Sequence, residues 1–478
     1  MAHTFYWYDL ETSGTEPKWD RIVQFAGMRT DENLEPIGDE FCTYVLLPDD
    51  VLPNPDATLV TGITPQLAEQ KGITETQALV KINELFSQPN TCVAGYNSLR
   101  FDDEFVRYSF YRNMLDPYAR EWQQGNSRWD LIDLVRATGG LRREGIEWPQ
   151  DENGLPVYKL EELTRANGIE HGQAHDAMSD VRATIGMAKL IKENQGKLFD
   201  YYFSIRNKKK IRALLEPYGA RICVHVSGMY PRQRSGVAPI MSLTRHPTNS
   251  NSVVVVDLAE NVEMLLDLTA DEIQQKLFTS GSEERPPLKE IRLNRCPFVA
   301  PFEVLNEENF ARLNISPKLV KERARRLRQP GLAEKISRVY AAGSKQFNQQ
   351  RNADPDAALY DAFLQEEDRG RCRSLHEAVA VGGWQTMDFT DQRLQTLLGR
   401  LKARSFPQHL DAEEIAQWQD FVITKLDGEG DWFNLNKFEK RIEELMLDQA
   451  GPEGSERNVK ILQQLAIHAQ DLRGRYRL

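Results

Sequence analysis

Two carboxylates stand two residues apart in Phe5-Tyr6-Trp7-Tyr8-Asp9-Leu10-Glu11-Thr12, on an otherwise apolar run. Residues i and i+2 of an extended strand face the same side. Two like charges on one face repel, and at the end of a buried strand they also lose hydration, so the pair is unfavourable unless a cation neutralises it. Hard oxygen ligands point to Mg²⁺ or Mn²⁺. A strand end that reaches solvent, with two hydrated acids, is the alternative on this spacing alone. A second group is Gly95-Tyr96-Asn97-Ser98-Leu99-Arg100-Phe101-Asp102, where a strand runs into a turn and a helix begins. Asp102 there either caps the helix or faces a metal. The third is His171-Gly-Gln-Ala-His175-Asp176-Ala177-Met178-Ser179-Asp180. It places His175 in a helix entry loop and Asp180 on the first turns. A histidine in such a place is either structural or, with a pKa of about 6.5, suited to take a proton from water.

The elements that must position these groups follow from periodicity. In the first 200 residues, Thr4 to Leu10, Arg21 to Arg29, Glu40 to Leu47 and Thr91 to Tyr96 are rich in β-branched and aromatic residues and read as strands. Pro65 to Phe86, Asp102 to Met114 and Asp176 to Asn194 read as helices. Further on, Ile222 to Val226, Val237 to Leu243 and Val253 to Leu258 predict a small β-rich unit, followed by a basic helix over Lys318 to Arg328. Leu394 to Leu401, Glu413 to Thr424, Asn436 to Met446 and Asn458 to Leu472 carry the helical period. The expected organisation is an α/β domain over 1–200, a β-rich domain over 201–352 and a helical domain over 353–478.

At 478 residues and 40% hydrophobic content, several cores are required, and fibrous or disordered classes are excluded. No run of 18 apolar residues occurs, and the N-terminal segment lacks the regions of a signal peptide, so a cytoplasmic protein without membrane spans is expected. Five dispersed cysteines argue against zinc sites and a disulfide framework. The net charge of −11 speaks against a general polyanion binder only if it is spread evenly. It is not, because residues 1–200 carry −14, 201–350 carry +9 and 351–478 carry −6.

Taken together, Asp-x-Glu on the first strand, Asp102 after Asn97, and His-x-Ala-x-x-Asp form an ordered set that resembles the DEDDh 3'-5' exonuclease superfamily, over roughly residues 4–192. The resemblance implies an RNase H-like fold, with Asp9, Glu11, Asp102 and Asp180 as metal-binding carboxylates and His175 as general base. Asn97 and Asp102 stand one residue further apart than in many proofreading members of that superfamily. A closer likeness lies in Gly62-Ile63-Thr64-Pro65, Asn126-Ser127-Arg128-Trp129-Asp130-Leu131 and Leu163 to His171. It continues in Val224-His225-Val226-Ser227-Gly228-Met229, Asn294-Arg295-Cys296-Pro297 and Lys402-Ala403-Arg404-Ser405-Phe406-Pro407. These stretches look like the bacterial exonuclease I family across nearly the whole chain. That family implies an SH3-like middle domain, a helical C-terminal domain and a monomer. It also implies processive 3'-5' degradation of single-stranded DNA to nucleoside 5'-monophosphates, in DNA repair and recombination.

Phosphodiester hydrolysis of this kind uses two divalent ions about 4 Å apart. Asp9, Glu11 and Asp180 would hold one, with Glu11 also close to the DNA end, and Asp102 would help to hold the other. A path for single-stranded DNA needs cations along the backbone and aromatic faces for the bases. Arg107, Tyr118, Trp122, Arg128, Arg136 and Arg142 interleave these types, and Tyr118 and Trp122 are spaced i, i+4. About half of the aromatic and basic residues between 107 and 143 are expected to be structural, Trp129 among them. Lys159 is the candidate phosphate contact, although arginine is common there in the family. Lys208, Lys209, Lys210 and Arg212 are expected to roof a DNA channel. By the same resemblance, Lys318, Lys321, Arg325, Arg328 and Arg338 would bind the acidic C-terminal tail of single-stranded DNA-binding protein. An RNA exonuclease of the same superfamily, or a non-catalytic nucleic-acid scaffold, remains open at this level.

Overall fold

In the computed structural model, residues 3–172, 176–279, 284–347, 354–449 and 455–478 are described. Strands β1 (Thr4–Thr12), β2 (Ile22–Thr30), β3 (Pro36–Tyr44), β4 (Thr91–Gly95) and β5 (Ser127–Asp130) form one sheet in the order β3-β2-β1-β4-β5. The first three are antiparallel, and β1, β4 and β5 run parallel. β1 is central, so both its faces are covered. Phe5 and Trp7 enter one hydrophobic cluster, while Tyr6, Tyr8 and Leu10 enter another. This is why the run reads as continuously apolar rather than alternating.

The helix Ala177–Ser204 lies on the Phe5 and Trp7 face through Val181, Ile185 and Ala188, and the helix Asp102–Arg112 lies on the other through Phe105, Val106 and Phe110. The expected helix Asp176–Asn194 stops where the observed one kinks, at Gln195, before continuing. The single helix expected over Pro65–Phe86 is two, Pro65–Lys71 and Glu75–Phe86, because Gly72 is extended and Thr74 opens a new capping box with Gln77. β3 begins at Pro36 rather than Glu40, since pairing with β2 continues to Thr30↔Pro36 and carries this exposed edge strand upstream.

A second antiparallel sheet has the order β10-β6-β7-β8-β9, built from β6 (Ile222–Val226), β7 (Val237–Arg245), β8 (Ser252–Asp257), β9 (Leu288–Arg292) and β10 (Phe298–Pro301). The last two were not anticipated. β9 mixes Lys289 and Glu290 into only five residues, too little for a period-2 signal. The two sheets are not separate cores. Trp129 contacts Tyr202, which contacts Phe298, so one apolar cluster runs from the first sheet into the second. After residue 354 the described structure is helical, with Glu366–Ala380, Gln392–Ser405, Ala412–Asp427, Leu435–Gln449 and Glu456–Tyr476. The architecture is therefore an RNase H-like α/β domain with an SH3-like β-rich domain and a C-terminal α-helical domain, as expected. Among the described residues no helix is long and apolar enough to cross a membrane, and the five cysteines are free.

Candidate active site: an acidic cleft at the end of the first sheet

Asp9 and Glu11 continue the Phe5 and Trp7 face of β1 to its C-terminal end, paired with Ala26 and Gln24 of β2. Asp180 comes to the same place from the first turn of the helix Ala177–Ser204, whose N-cap Asp176 accepts the Ser179 N–H at 3.2 Å. One ligand atom from each of Asp9, Glu11 and Asp180 lies within 4.8 Å of the others. Asp102 is the first residue of its own helix. The N-cap is Phe101, which makes no side-chain cap bond, so Asp102 is free of the capping role that its position suggested. Backbone amides of Asp102 itself and of Leu10 on β1 act to lower its pKa, against the burial that raises it.

The loop that delivers Asp102 is held by one residue. Asp130, at the end of β5, accepts the N–H groups of Asn97 at 2.9 Å, Leu99 at 3.1 Å and Ile132 at 3.0 Å, so it caps its own helix and fixes the neighbouring turn. Asn97 takes φ +62°, a left-handed conformation that asparagine tolerates. Gly95 must be glycine, since a Cβ would lie 2.8 Å from both the Tyr8 carbonyl and the Ser98 side chain.

The carboxylates disturb one another as a cation site does. Burial, followed by the charges of Asp102, Asp180 and Glu11, raises the Asp9 carboxyl well above its ordinary range. Burial, with Asp180 and Asp102, pushes Glu11 up to about 8, and burial likewise pushes Asp102 up to about 8. An all-oxygen donor set that repels itself fits hard divalent ions. At pH 7 in the metal-free chain, Glu11 and Asp102 are therefore largely protonated. Uptake of Mn²⁺ at pH 7 should release protons from this group of raised carboxyls, Asp9 included, and fewer at pH 9, where Glu11 and Asp102 have largely ionised. Calorimetry in buffers of different ionisation enthalpy measures this, and release of none at pH 7 would contradict the assignment.

The fifth expected catalytic residue, His175, lies outside the described residues. Lys159 is exposed, at the N-cap of the helix Leu160–Ala166, beside the Tyr158 carbonyl that accepts the Tyr96 hydroxyl at 2.6 Å. That bond ties Lys159 to the Asp102 loop. Trp122 is 65% exposed, but the expected helical i, i+4 pairing with Tyr118 does not form. Two short 3-10 turns, Ala119–Glu121 and Gln123–Gly125, replace the helix, and Tyr118 is half-buried under Arg107. Arg107 is bound to Glu104 at 3.1 Å and Glu121 at 2.8 Å. Arg128 is bound to Asp103 and, at 2.9 Å, to Glu121. Both guanidiniums are buried in this network, which neutralises Asp103 beside Asp102. Trp129 is fully buried, as expected.

Arg136 pairs with Asp133 at 2.9 Å, and Arg142 reaches the Asn309 side chain at 3.3 Å and the Val304 carbonyl at 3.0 Å, joining the two sheets' domains. Lys208, Lys209 and Lys210 are exposed on the first turn of the helix Lys208–Leu215, and Arg212 reaches the Ser250 carbonyl at 3.3 Å. Lys318, Lys321, Arg325, Arg328 and Arg338 are all exposed. Arg328 stands at the rim of a cavity of about 470 Å³ that includes Tyr218, Leu243, Leu327 and Leu332 in its lining.

Sequence reasoning missed three side chains here. His171 contacts Asp180 directly. Tyr360, 52% exposed, packs on Tyr108 and bonds Glu104, while Phe363, 77% exposed, lies 6.2 Å from the Tyr118 ring. Exposed aromatics in a polar stretch were the available signal for the last two. A largely basic cavity of about 500 Å³, whose lining includes Arg100, Arg285, Lys289, Arg292 and Arg295 with Asp133 and Glu290, gathers cations of which the quoted motifs contained Arg100 and Arg295 but not the other three.

Comparison with known proteins agrees with this geometry. Family models described as Exonuclease, Exonuclease I SH3-like domain and Exonuclease I C-terminal domain match residues 6–188, 206–342 and 353–472. Exodeoxyribonuclease I of Escherichia coli K12 is 43% identical over 422 residues, which is 87% of this chain and 88% of that protein. The structure of a moderately thermophilic exonuclease I from Methylocaldum szegediense superposes with a TM-score of 0.91 at 43% identity, covering 98% of this chain and 99% of that one. A zinc-bound form of the Escherichia coli exonuclease I complex with single-stranded DNA superposes with a TM-score of 0.91 at 39% identity, covering 98% and 99%.

Proposed function

The chain belongs to the exonuclease I family, and from that premise we propose that its acidic cleft hydrolyses single-stranded DNA with two divalent ions, Mg²⁺ in the first instance and Mn²⁺ as a substitute. It is a 3'-5' exodeoxyribonuclease. The observation that carries the reading is the convergence of Asp9, Glu11 and Asp180 within 4.8 Å, with Asp102 alongside.

When bound, such ions supply an activated water and neutralise charge on the phosphate and the leaving 3'-oxygen. Asp9, Glu11 and Asp180 hold and orient that chemistry from two rigid elements, a strand and a helix start, and Asp102 adds the fourth carboxylate. Without a cation these groups would repel the substrate phosphate, so DNA and metal depend on each other at this site. His175 takes the proton of the attacking water, a step typically contributing about 10² to 10⁴ in rate. Lys159, exposed and tied to the Asp102 loop, meets a backbone phosphate near the scissile bond.

Trp122 and Phe363 present exposed, sequence-tolerant stacking faces, and the basic cavity and Lys208 to Lys210 carry the backbone. The lysine cluster is unfavourable where it stands, at a helix N-terminus whose dipole repels cations. An anionic strand over it removes that penalty and keeps DNA attached between cleavages. Arg107, Arg128 and Arg142 serve mainly to hold this frame, with Arg136 at its edge. The cavity beside Arg328, with the exposed Lys318, Lys321, Arg325 and Arg338 on the helices Pro317–Arg326 and Leu332–Phe347 that flank that residue in the chain, suits an acidic tail with an apolar end, that of single-stranded DNA-binding protein. The enzyme then acts as a cytoplasmic monomer in DNA repair and recombination.

The test is incubation of 3'- or 5'-labelled single-stranded DNA, duplex DNA and RNA with the protein, with and without Mg²⁺. Metal-dependent release of mononucleotides from the 3' end of single-stranded DNA is expected. Equal release from RNA would move the substrate to the ribonucleases of the superfamily. Trp122→Ala should weaken binding of single-stranded DNA by about 1 to 3 kcal/mol, or roughly 5- to 150-fold, without changing the salt dependence. Anisotropy titrations in EDTA at several ionic strengths would read both quantities.

A further inference from the structure

His171 lies one residue before the last described position, Gly172, on that side of the chain, and its ring is held at both nitrogens. Nε2 lies 2.5 Å from Asp180 Oδ1, and Nδ1 lies 2.9 Å from Thr164 Oγ1. A carboxylate only accepts hydrogen bonds, so Nε2 carries a proton towards Asp180, while Nδ1 is held by Thr164 Oγ1, which also lies 2.9 Å from the Leu160 carbonyl and 3.0 Å from the Glu161 carbonyl. Thr164 is itself fully buried on the helix Leu160–Ala166. The His171 side chain is 8% exposed, so this is an interior contact and not a surface ion pair.

The backbone that presents His171 is also fixed. The Ile169 N–H returns to the Thr164 carbonyl at 2.9 Å, closing the turn after the helix. Ile169 then packs on the helix Ala177–Ser204 at Gly186, where a Cβ would lie 2.7 Å from Ile169 Cγ2. Two contacts thus clamp the 167–171 segment to the helix that carries Asp180. They matter because Asp180 faces Asp9 and Glu11, and three carboxyl groups that must meet at one point repel one another whenever they are ionised, the form in which they ligate a cation.

We propose that His171 is a positioning residue that holds the Asp180 carboxylate in its metal-ligating orientation, with Thr164 setting the ring. The proposal rests on the metal-dependent nuclease reading above. It has the form of ligand support in which a group outside the coordination shell orients one inside it.

The experiment is Mn²⁺ binding without DNA, followed by electron paramagnetic resonance, for the unsubstituted protein and for His171→Ala, His171→Gln and Thr164→Val. Metal titrations of kcat and KM accompany it. His171→Ala should lower Mn²⁺ affinity about 10- to 100-fold, with KM for DNA unchanged and kcat recovering at high Mn²⁺. His171→Gln, whose amide N–H can reach the place of Nε2–H, should regain most of the affinity. Thr164→Val, which keeps shape and loses the hydroxyl, should show a smaller loss. Unchanged Mn²⁺ affinity in His171→Ala, or a Gln variant no better than Ala, overturns the positioning role while leaving the nuclease reading intact. Failure of the unsubstituted protein to bind Mn²⁺ would overturn both.

Discussion

Asp9→Asn is expected to abolish turnover while leaving the fold at least as stable as before. The substitution keeps the shape and one oxygen but removes the charge at the centre of the carboxylate group, where Asp102, Asp180 and Glu11 all act on it. A bound cation contributes several kcal/mol to stabilising the transition state, and a loss of about 4 to 6 kcal/mol is roughly 10³- to 10⁴-fold in rate. Stability moves the other way. An acid whose folded pKa is raised costs stability as pH climbs from its unfolded value, about 3.9, towards its folded value. Asp9 is such an acid, so in the metal-free chain at pH 8 the neutral Asn relieves repulsion. Scanning calorimetry in EDTA should therefore give an equal or higher melting temperature for the variant, and Mg²⁺ should stabilise it less than the unsubstituted protein. Near-normal activity in Asp9→Asn would falsify the site. A collapsed melting temperature would make the loss of activity a matter of folding.

The placement of this group was legible because its elements are simple. Asp9 and Glu11 share a face by the period of a strand, and Asp180 follows a strong amphipathic signal at the start of a helix. That residues 9, 11, 102 and 180 meet is not contained in either period, and the ordered motif set supplied it. Where the sequence misled, a counter-charge or a turn intervened. Arg107 and Arg128 look like a nucleic-acid surface in one dimension, yet Asp103, Glu104 and Glu121 stand where the fold turns these arginines inward. Tyr118 and Trp122 have helical spacing, but a non-helical Gln124 at φ +53° and Gly125 at φ +80° leave only short 3-10 turns. His171 stood in plain view four residues before His175, but nothing local announces a partner nine residues on.

The division of the chain into three segments was also legible, but not what fastens them together: apolar clusters cross each boundary, and between the first and helical segments a buried ionic network adds pairs of residues more than 300 positions apart. Asp356 is 1% exposed. It receives Arg404 at 2.6 Å, Arg400 at 3.3 Å and Arg21 at 3.5 Å, and Arg404 in turn binds Asp50 at 2.6 Å. Arg21 and Asp50 belong to the first domain, the others to the helical one. Burial acts to raise the Asp356 carboxyl, yet Arg404, Arg400 and Arg21 outweigh it and hold the group well below the usual carboxylate range.

Asp356→Asn should therefore destabilise the protein by about 3 to 5 kcal/mol, because it leaves buried guanidiniums under-compensated. The loss should appear as earlier release of the helical domain, seen as a lower-temperature calorimetric transition and faster proteolysis after residue 354. It should also depend on pH in a fixed sense. A depressed carboxylate contributes stability that is present above its unfolded pKa of about 3.9 and is lost as pH falls through the folded value. The gap between variant and unsubstituted protein should hold from pH 8 down to about 5 and close only in stronger acid. Pairing the change with Arg404→Met should cost less than the two single changes added together, since the second removes a charge that the first leaves unmet. Strict additivity, or a gap that closes near neutrality, would mean that the domains are held by their apolar contacts and that this network only decorates them.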